Sequence, residues 1–438
     1  MKNIYIARRA RVASEIGEGS IAVIQGAVIQ KRNSDVDFPF RQDSDFLYLT
    51  GFTEPNALLI IEGGADGRQI LLLSPKDRVK EVWDGERLGP RKAESDLGFT
   101  HALPNTEEGC EKCVNMLCTK YMHIYYQMHI PIARVGEHLT SRLFPLAFMN
   151  PEVGKCDIGK MLAIHRLFKD DAESTFMTQA ATISALAHNS ILDIMKPGMF
   201  EYELEAELSY RFRRKGADAL HAYPMIVAGG KNACTLHYVK NDAVIKDGDL
   251  VLIDAGCEYK GYASDITRTF PANGRFTKAQ RALYDIVLSA QKASIAKVRA
   301  GTRFHEIHDT AALTIAEGLL MLGLIQAKDP EDAVIQNLHH PFFPHGTSHW
   351  LGLDVHDVGD YGIESGVRKK MRMLEKRMVL TVEPGIYVRP AKHIPCEYWN
   401  IGIRIEDDVL VTSGAPYVLS ALAIKEPDEI EATMRKRE

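Results

Sequence analysis

Two stretches of this 438-residue chain repeat one pattern, an apolar strand that ends in a carboxylate. Leu250-Val251-Leu252-Ile253-Asp254-Ala255-Gly256 is echoed by Val379-Leu380-Thr381-Val382-Glu383-Pro384-Gly385, and each is followed by a further strand with a second acid, Asp265 and Glu406. A pair of helices precedes each. Lys169-Asp170-Asp171-Ala172-Glu173 opens the first, whose apolar positions Phe176, Ala180, Ile183, Ala187, Ile191 and Ile194 recur at three and four. It stops at Lys196-Pro197-Gly198, since proline lacks the amide hydrogen a helix interior needs and glycine favours the turn. A second helix then runs through Leu204, Leu208 and Phe212 to Gly216. The other pair runs from Thr277 through Leu283, Val287 and Ala290 to Ala300-Gly301-Thr302, and on through Ile307 and Ala311. The repeat predicts two halves of one domain related by a pseudo-twofold, with four acids converging where the halves meet.

The N-terminal part has a different texture. Short strand-like runs at 20–24, 57–61 and 69–73 alternate with polar stretches that suit helices, which predicts a small α/β domain. The expected division is 1–166 for that domain and 167–438 for the repeated one. Hydrophobic residues at 45% and charged residues at 25% predict folding throughout. A net charge of -5, with Lys and Arg scattered, argues against nucleic acid as a partner. The N-terminus runs into Lys2, Arg8 and Arg9 without the apolar core of a signal peptide, and no apolar run is long enough to span a bilayer, so the expected compartment is the cytoplasm. Seven cysteines (Cys110, Cys113, Cys118, Cys156, Cys234, Cys257, Cys396) form an odd, irregular set and are expected to be free thiols. The Cys110/Cys113 C-x-x-C is expected on a helix surface, without a role.

Asp254 closes an apolar strand where an uncompensated carboxylate costs on the order of several kcal/mol. Alone it reads equally well as a turn residue. A turn at Lys260-Gly261, however, can fold the chain back so that Asp265 returns beside it, and facing carboxylates repel unless they share a cation. Ile401, Ile403 and Ile405 alternate with Gly402, Arg404 and Glu406, so period two puts Arg404 and Glu406 on one face of a strand. Between the acid pairs, His345-Gly346-Thr347-Ser348-His349-Trp350-Leu351-Gly352-Leu353-Asp354-Val355-His356-Asp357 adds three histidines. Four carboxylates and an imidazole make a hard, oxygen-rich site that suits Mn2+ best, with Co2+ or Zn2+ possible. Four negative charges nearly balance two divalent ions. Such a pair of ions activates water against a carbonyl, so the implied reaction class is hydrolysis.

Residues 251–270, 345–359, 381–387 and 402–408 resemble the ligand-bearing segments of the bacterial aminopeptidase P family, and 32–52 resemble its N-terminal domain. That resemblance implies an α/β (α+β) chain with a small creatinase-like N-terminal domain, serving oligomerisation and substrate access, before a pita-bread catalytic domain. It implies five metal ligands, Asp254, Asp265, His349, Glu383 and Glu406, with Asp265 and Glu406 bridging two ions. Asp254 completes one ion's shell, while His349 and Glu383 complete the other's. It further implies that Glu383 takes the proton of the attacking water, that His356 hydrogen-bonds the oxyanion, and that His237 and His345 line the substrate site. Arg404 would hold the ligating carboxylates. The substrates implied are peptides with proline in second position. Phe342, Phe343, Trp350 and Tyr387 are candidate walls for the proline ring, although plain core is the equal alternative for each. Trp83 and Asp35 would reach an active site from the N-terminal domain in a homodimer or homotetramer.

The nearest alternative is a prolidase, with the same ligands but dipeptides only. A methionine aminopeptidase would usually lack the N-terminal domain, and a metal-free protein-binding scaffold would have lost ligands. His305-Glu306-Ile307-His308 falls one residue short of a zincin motif.

Overall fold

A computed structural model describes residues 2–117, 121–128, 152–365 and 368–436. The chain divides into two compact units, Met1–His165 and Arg166–Glu438. In the first, six of the described strands form one sheet in the order His101–Pro104, Gln69–Leu73, Leu58–Glu62, Ser20–Gln25, His123–Tyr126, Gly154–Asp157. The three central members pair antiparallel and the flanking ones parallel. Ser20–Gln25 is buried at every position, which is why its sequence lacks the alternation of a half-exposed strand.

The helix Glu107–Met116 corrects one expectation. Cys110 and Cys113 lie on its buried face, 1% and 0% exposed, packed with Ile21, Val23, Leu58, Ile60 and Ile70. A spacing of three puts both thiols on one face, and a free cysteine behaves there as a small hydrophobe. Cys113, Cys156, Cys234, Cys257 and Cys396 are free thiols; Cys118 lies outside the described residues.

The second unit carries the repeat. The helix Asp171–Ile194 begins at the cap Asp170, whose carboxylate accepts the Glu173 amide at 2.9 Å while Glu173 accepts the Asp170 amide at 2.9 Å. Thr277 and Gln280 make the same reciprocal cap for Lys278–Lys297. Each cap contributes about 1 kcal/mol and fixes where its helix starts. Glu201–Arg214 and His305–Met321 complete the two helix pairs. Strand Leu250–Asp254 sits between Ile226–Gly229 and Thr267–Pro271. In the other half, Val379–Val382 pairs with Asp407–Leu410, and Gly385–Val388 with Ile401–Arg404. One apolar core joins the halves, with Ile183, Leu208, Ile253, Val287, Ile315 and Ile403 all at most 2% exposed. This is the mixed α/β, pita-bread arrangement that the resemblance implies. Among the described residues, no helix is long and apolar enough to cross a membrane.

Between Asp254 and Asp265 the chain folds on itself as a short hairpin, Glu258–Tyr259 against Tyr262–Ala263. Lys260 and Gly261 turn it with φ of 56° and 80°. Gly256 lies so close to the returning strand that an added Cβ would be driven into the Ser264 carbonyl and within 3.1 Å of the Tyr223 ring. Gly256→Ala must therefore shift Ser264, the neighbour of Asp265. The expected loss is about 1–3 kcal/mol, as for overpacking elsewhere, and thermal unfolding checks it: an unchanged midpoint would show that the hairpin yields freely.

Candidate active site

Each acid arrives at the end of a buried strand. Asp254 is the last residue of Leu250–Asp254, opposite Ile226 and Thr267. Asp265, 5% exposed, precedes Thr267–Pro271. Glu383 and Pro384 link Val379–Val382 to Gly385–Val388. Glu406, 2% exposed, lies between Ile401–Arg404 and Asp407–Leu410. Period two predicts one unbroken strand through Glu406. The ladder instead stops at Arg404, because the chain exchanges one partner strand for another there. The freed Glu406 amide donates across to the Thr267 carbonyl at 3.1 Å, in the other half.

Side chains extend this cross-link. Thr267 Oγ1 donates to Glu406 Oε2 at 2.6 Å and accepts from Arg404 Nε at 3.0 Å. Arg404 also donates to Asp254 Oδ2 at 2.6 Å and to the Tyr387 hydroxyl at 2.9 Å. Tyr223 donates to Asp254 Oδ1 at 2.7 Å. The Asp265 amide donates to the Asp408 carboxylate at 3.1 Å.

Asp265, His349 and Glu406 offer ligand atoms within 4.8 Å of one another. His349 Nε2 stands 3.3 Å from Asp265 Oδ2 and 3.7 Å from Glu383 Oε1. Its other nitrogen, Nδ1, lies 3.0 Å from the Trp350 carbonyl and so must carry a hydrogen. A neutral His349 therefore points a lone pair at carboxylate oxygens, which is repulsive unless a proton or a cation lies between. The acids show the same pressure. Burial lifts Glu383 to about 7, and burial with the charges of Asp265, Glu383 and Asp254 lifts Glu406 well above the carboxylate range. Burial raises Asp265 too, although His349 opposes it. Burial disfavours the His349 cation, yet Asp265 and Glu383 outweigh that and raise it to about 9. These groups fit a multivalent cation, and their oxygen-rich set fits a hard one.

A cavity of about 660 Å³ opens over the acids, within the usual range for small ligands. Its lining includes Asp254, Asp265, His349, Glu383, Glu406 and Arg404, together with His237, His345 and His356. His345 donates from Nδ1 to the Gly346 carbonyl at 2.7 Å and accepts the Tyr387 hydroxyl at Nε2, 2.8 Å away. Burial, with the nearby Arg404 charge, lowers it to about 3, so the ring is neutral. His356 meets His349 edge-on at 4.3 Å, and partial desolvation with that neighbour lowers its pKa.

Phe342, Phe343, Trp350 and Tyr387 are absent from the cavity lining. Trp350 is fully buried against Phe304 and Tyr361, a core role, and Tyr387 stands behind His345. The apolar walls are Tyr223, Pro224, Ile226, Leu236, Val239, Val355 and Tyr361, of which only Val355 lies in one of the ligand-bearing segments. Thr267 and Asp408 lie in the segments 251–270 and 402–408 but carry no expected role; the doubled acid at Asp407-Asp408 is the nearest thing to a signal. Trp83, 83% exposed, and Asp35, in the turn between Lys31–Asn33 and Val36–Asp37, belong to the N-terminal unit.

Comparison with known proteins agrees with this geometry. Residues 175–413 match the model of metallopeptidase family M24, and residues 5–125 match that of the aminopeptidase P N-terminal domain. The Xaa-Pro aminopeptidase of Escherichia coli (strain K12) is 42% identical over 434 residues, covering 98% of this chain and 96% of that protein. Among solved structures, proline aminopeptidase P II from Yersinia pestis is 41% identical with a TM-score of 0.91, covering both chains fully (100% each). Aminopeptidase P from E. coli with the inhibitor Pro-Leu is 40% identical with a TM-score of 0.92, covering 100% of this chain and 99% of that one. With the family model spanning more than half of the chain and these relatives nearly all of it, the chain belongs to metallopeptidase family M24.

Proposed function

We propose that this chain is a metallo-exopeptidase that hydrolyses the bond between an N-terminal residue and a following proline. The observation that carries the reading is the convergence of His349 Nε2 on the carboxylate oxygens of Asp265 and Glu383, an arrangement that a divalent cation satisfies. The substrate class is supported by relatives that bear the name Xaa-Pro aminopeptidase and by the Pro-Leu held in a solved one.

Asp254, Asp265, His349, Glu383 and Glu406 would hold two ions, Mn2+ being the best match to their hardness, with Asp265 and Glu406 shared. Bound there, the ions supply Lewis acidity, activating a water and polarising the scissile carbonyl. The chain's own groups do the rest. Glu383, in the cavity lining, takes the proton of the attacking water. His356, as a neutral imidazole, donates a hydrogen bond to the oxyanion. His237 and His345 contact the peptide, and Arg404 keeps Asp254 in place. The apolar wall from Tyr223 to Ile226, with Leu236 and Val355, suits a pyrrolidine ring, which carries no amide hydrogen to satisfy.

Residues 167–438 would carry the chemistry, with 1–166 governing access and association as a dimer or tetramer. Supporting this, the helix Arg78–Asp84 buries none of its residues and exposes Val79, Val82 and Trp83. Contributions of Trp83 and Asp35 to a substrate site belong to the same proposal. A cytoplasmic setting is supported by the free thiols of Cys113, Cys156, Cys234, Cys257 and Cys396.

Metal removal and add-back tests the function. Protein stripped with a chelator should lose activity on Xaa-Pro-Yaa tripeptides and regain it with Mn2+, Co2+ or Zn2+. Cleavage of Xaa-Pro dipeptides alone would make the chain a prolidase. Glu406→Ala should abolish turnover with the far-UV circular dichroism unchanged, since it removes a shared ligand and little apolar packing; a near-normal rate refutes the sharing. Stability of the metal-free protein should also depend on pH. Glu383 and His349 both have raised pKa values when folded, so their stabilising contribution is complete at low pH and disappears as pH rises through the folded values. The window runs from the ordinary 4.5 of Glu383 to about 9 for His349. Below the ordinary imidazole value of 6.5 the lowered pKa values of His345 and His356 act in the opposite direction, so unfolding midpoints of the stripped protein should fall from there toward pH 9, and metal should restore them; a flat profile in that range would contradict the crowding of charge.

A further inference from the structure

We propose that Glu201 is a positioning residue for the reaction, holding the loop that presents His237 to the substrate cavity. The proposal rests on the placement of His237 in the functional reading above. Glu201 is the first residue of Glu201–Arg214 and is 0% exposed. Its carboxylate takes four neutral donors. Oε1 accepts the Gly229 amide at 2.7 Å and Asn232 Nδ2 at 2.9 Å. Oε2 accepts the Tyr238 hydroxyl at 2.8 Å and the Ala243 amide at 2.9 Å. The Glu201 amide donates in turn to the Ala243 carbonyl at 3.0 Å. One side chain thus ties the two ends of the 229–243 loop and two points inside it, Asn232 and Tyr238, on either side of His237.

That loop supplies Leu236, His237 and Val239 to the cavity, and Glu201 itself is not among the lining residues. A second clasp comes from the next turn of the same helix. Buried Asn241, held at φ 48°, accepts the Val227 amide at 2.9 Å and donates to the Met225 carbonyl and to Glu205 Oε2, both at 3.0 Å. His237 is exposed, so packing does little to hold it. Its position depends on Tyr238 beside it, whose hydroxyl ends on Glu201. A buried carboxylate is a poor choice for stability alone, since an apolar residue of similar size would avoid its desolvation. What it offers is four strong, directional acceptor contacts that specify one loop conformation.

The test compares wild type, Glu201→Gln, His237→Ala and the double variant, all metal-loaded, on one Xaa-Pro-Yaa peptide. Glu201→Gln points an NH2 group at donors that Oε2 now serves. It should lower kcat/KM by a factor on the order of ten to a hundred, as displacement of a reacting group by about 1 Å does. Metal content should not change, and the double variant should be no slower than His237→Ala. Amide exchange at Gly229 and Ala243 should accelerate. Losses that multiply in the double variant, or a normal rate in Glu201→Gln, would overturn the proposal. If Glu201→Gln does not fold, Tyr238→Phe removes a single donor and should give a smaller loss, again absent in the His237→Ala background; a loss that persists there would overturn the assignment. Should wild type fail to cleave any Xaa-Pro peptide, the functional reading falls separately. Amide exchange then decides the proposal, and unchanged protection of Gly229 and Ala243 in Glu201→Gln would end it.

Discussion

Carboxylates repel one another, and burial sharpens the repulsion. Two unit charges 4 Å apart interact by about 4 kcal/mol at an effective dielectric constant of about 20, against a net folding stability of about 5–15 kcal/mol. Asp254, Asp265, Glu383 and Glu406 line one cavity, and two of them are almost wholly buried. The fold can hold them only if protons or cations intervene, and the raised pKa values of Asp265, Glu383 and Glu406 express the first remedy. The backbone does the holding. The Asp265 amide is fixed on Asp408, that of Glu383 on the Thr347 carbonyl and that of Glu406 on the Thr267 carbonyl. Beside each acid a buried strand packs into the core, so repulsion cannot push the side chains apart without moving a strand.

Much of this was legible in the residues because it is encoded locally. Asp170 and Thr277 start helices by capping them, Pro197 ends one, and Lys260-Gly261 turns a hairpin, each through the geometry of a few neighbouring atoms. The acids stood out because the same arrangement recurs in both halves, with three histidines between the acid pairs. What escaped the reading is what depends on a distant partner. The strand break after Arg404 follows from an exchange of ladder neighbours that no local period records. The burial of Cys110 and Cys113 depends on which side of their helix the sheet lies. Trp350 looked like a wall because it adjoins His349, but adjacent residues point in different directions, and its ring turns into the core. Tyr223 and Glu201 lie far along the chain from the groups they serve and carry no motif.

The two halves contribute unequal things to one site. The first half brings Asp254 and Asp265 on a tight hairpin, and the second brings Glu383 and Glu406 on links between short strands. The ligand imidazole, His349, comes from the stretch between the second helix pair and Val379–Val382, along with His345 and His356. Both halves therefore supply acids, while three of the four cavity histidines come from the stretch between the acid pairs.

Arg404 stands behind the acids and spends each of its three nitrogens on a different neighbour, Asp254, Tyr387 and Thr267. A guanidinium is flat, so the directions to those neighbours are coplanar by construction. A lysine ammonium would bring equal charge, but its three hydrogens splay as a tripod on a flexible stem and match no such plane. The spacing between the acid of one half and the threonine that steadies the acid of the other is thus gauged by the outline of one rigid ion, which makes shape, beyond sign, the property that this position demands.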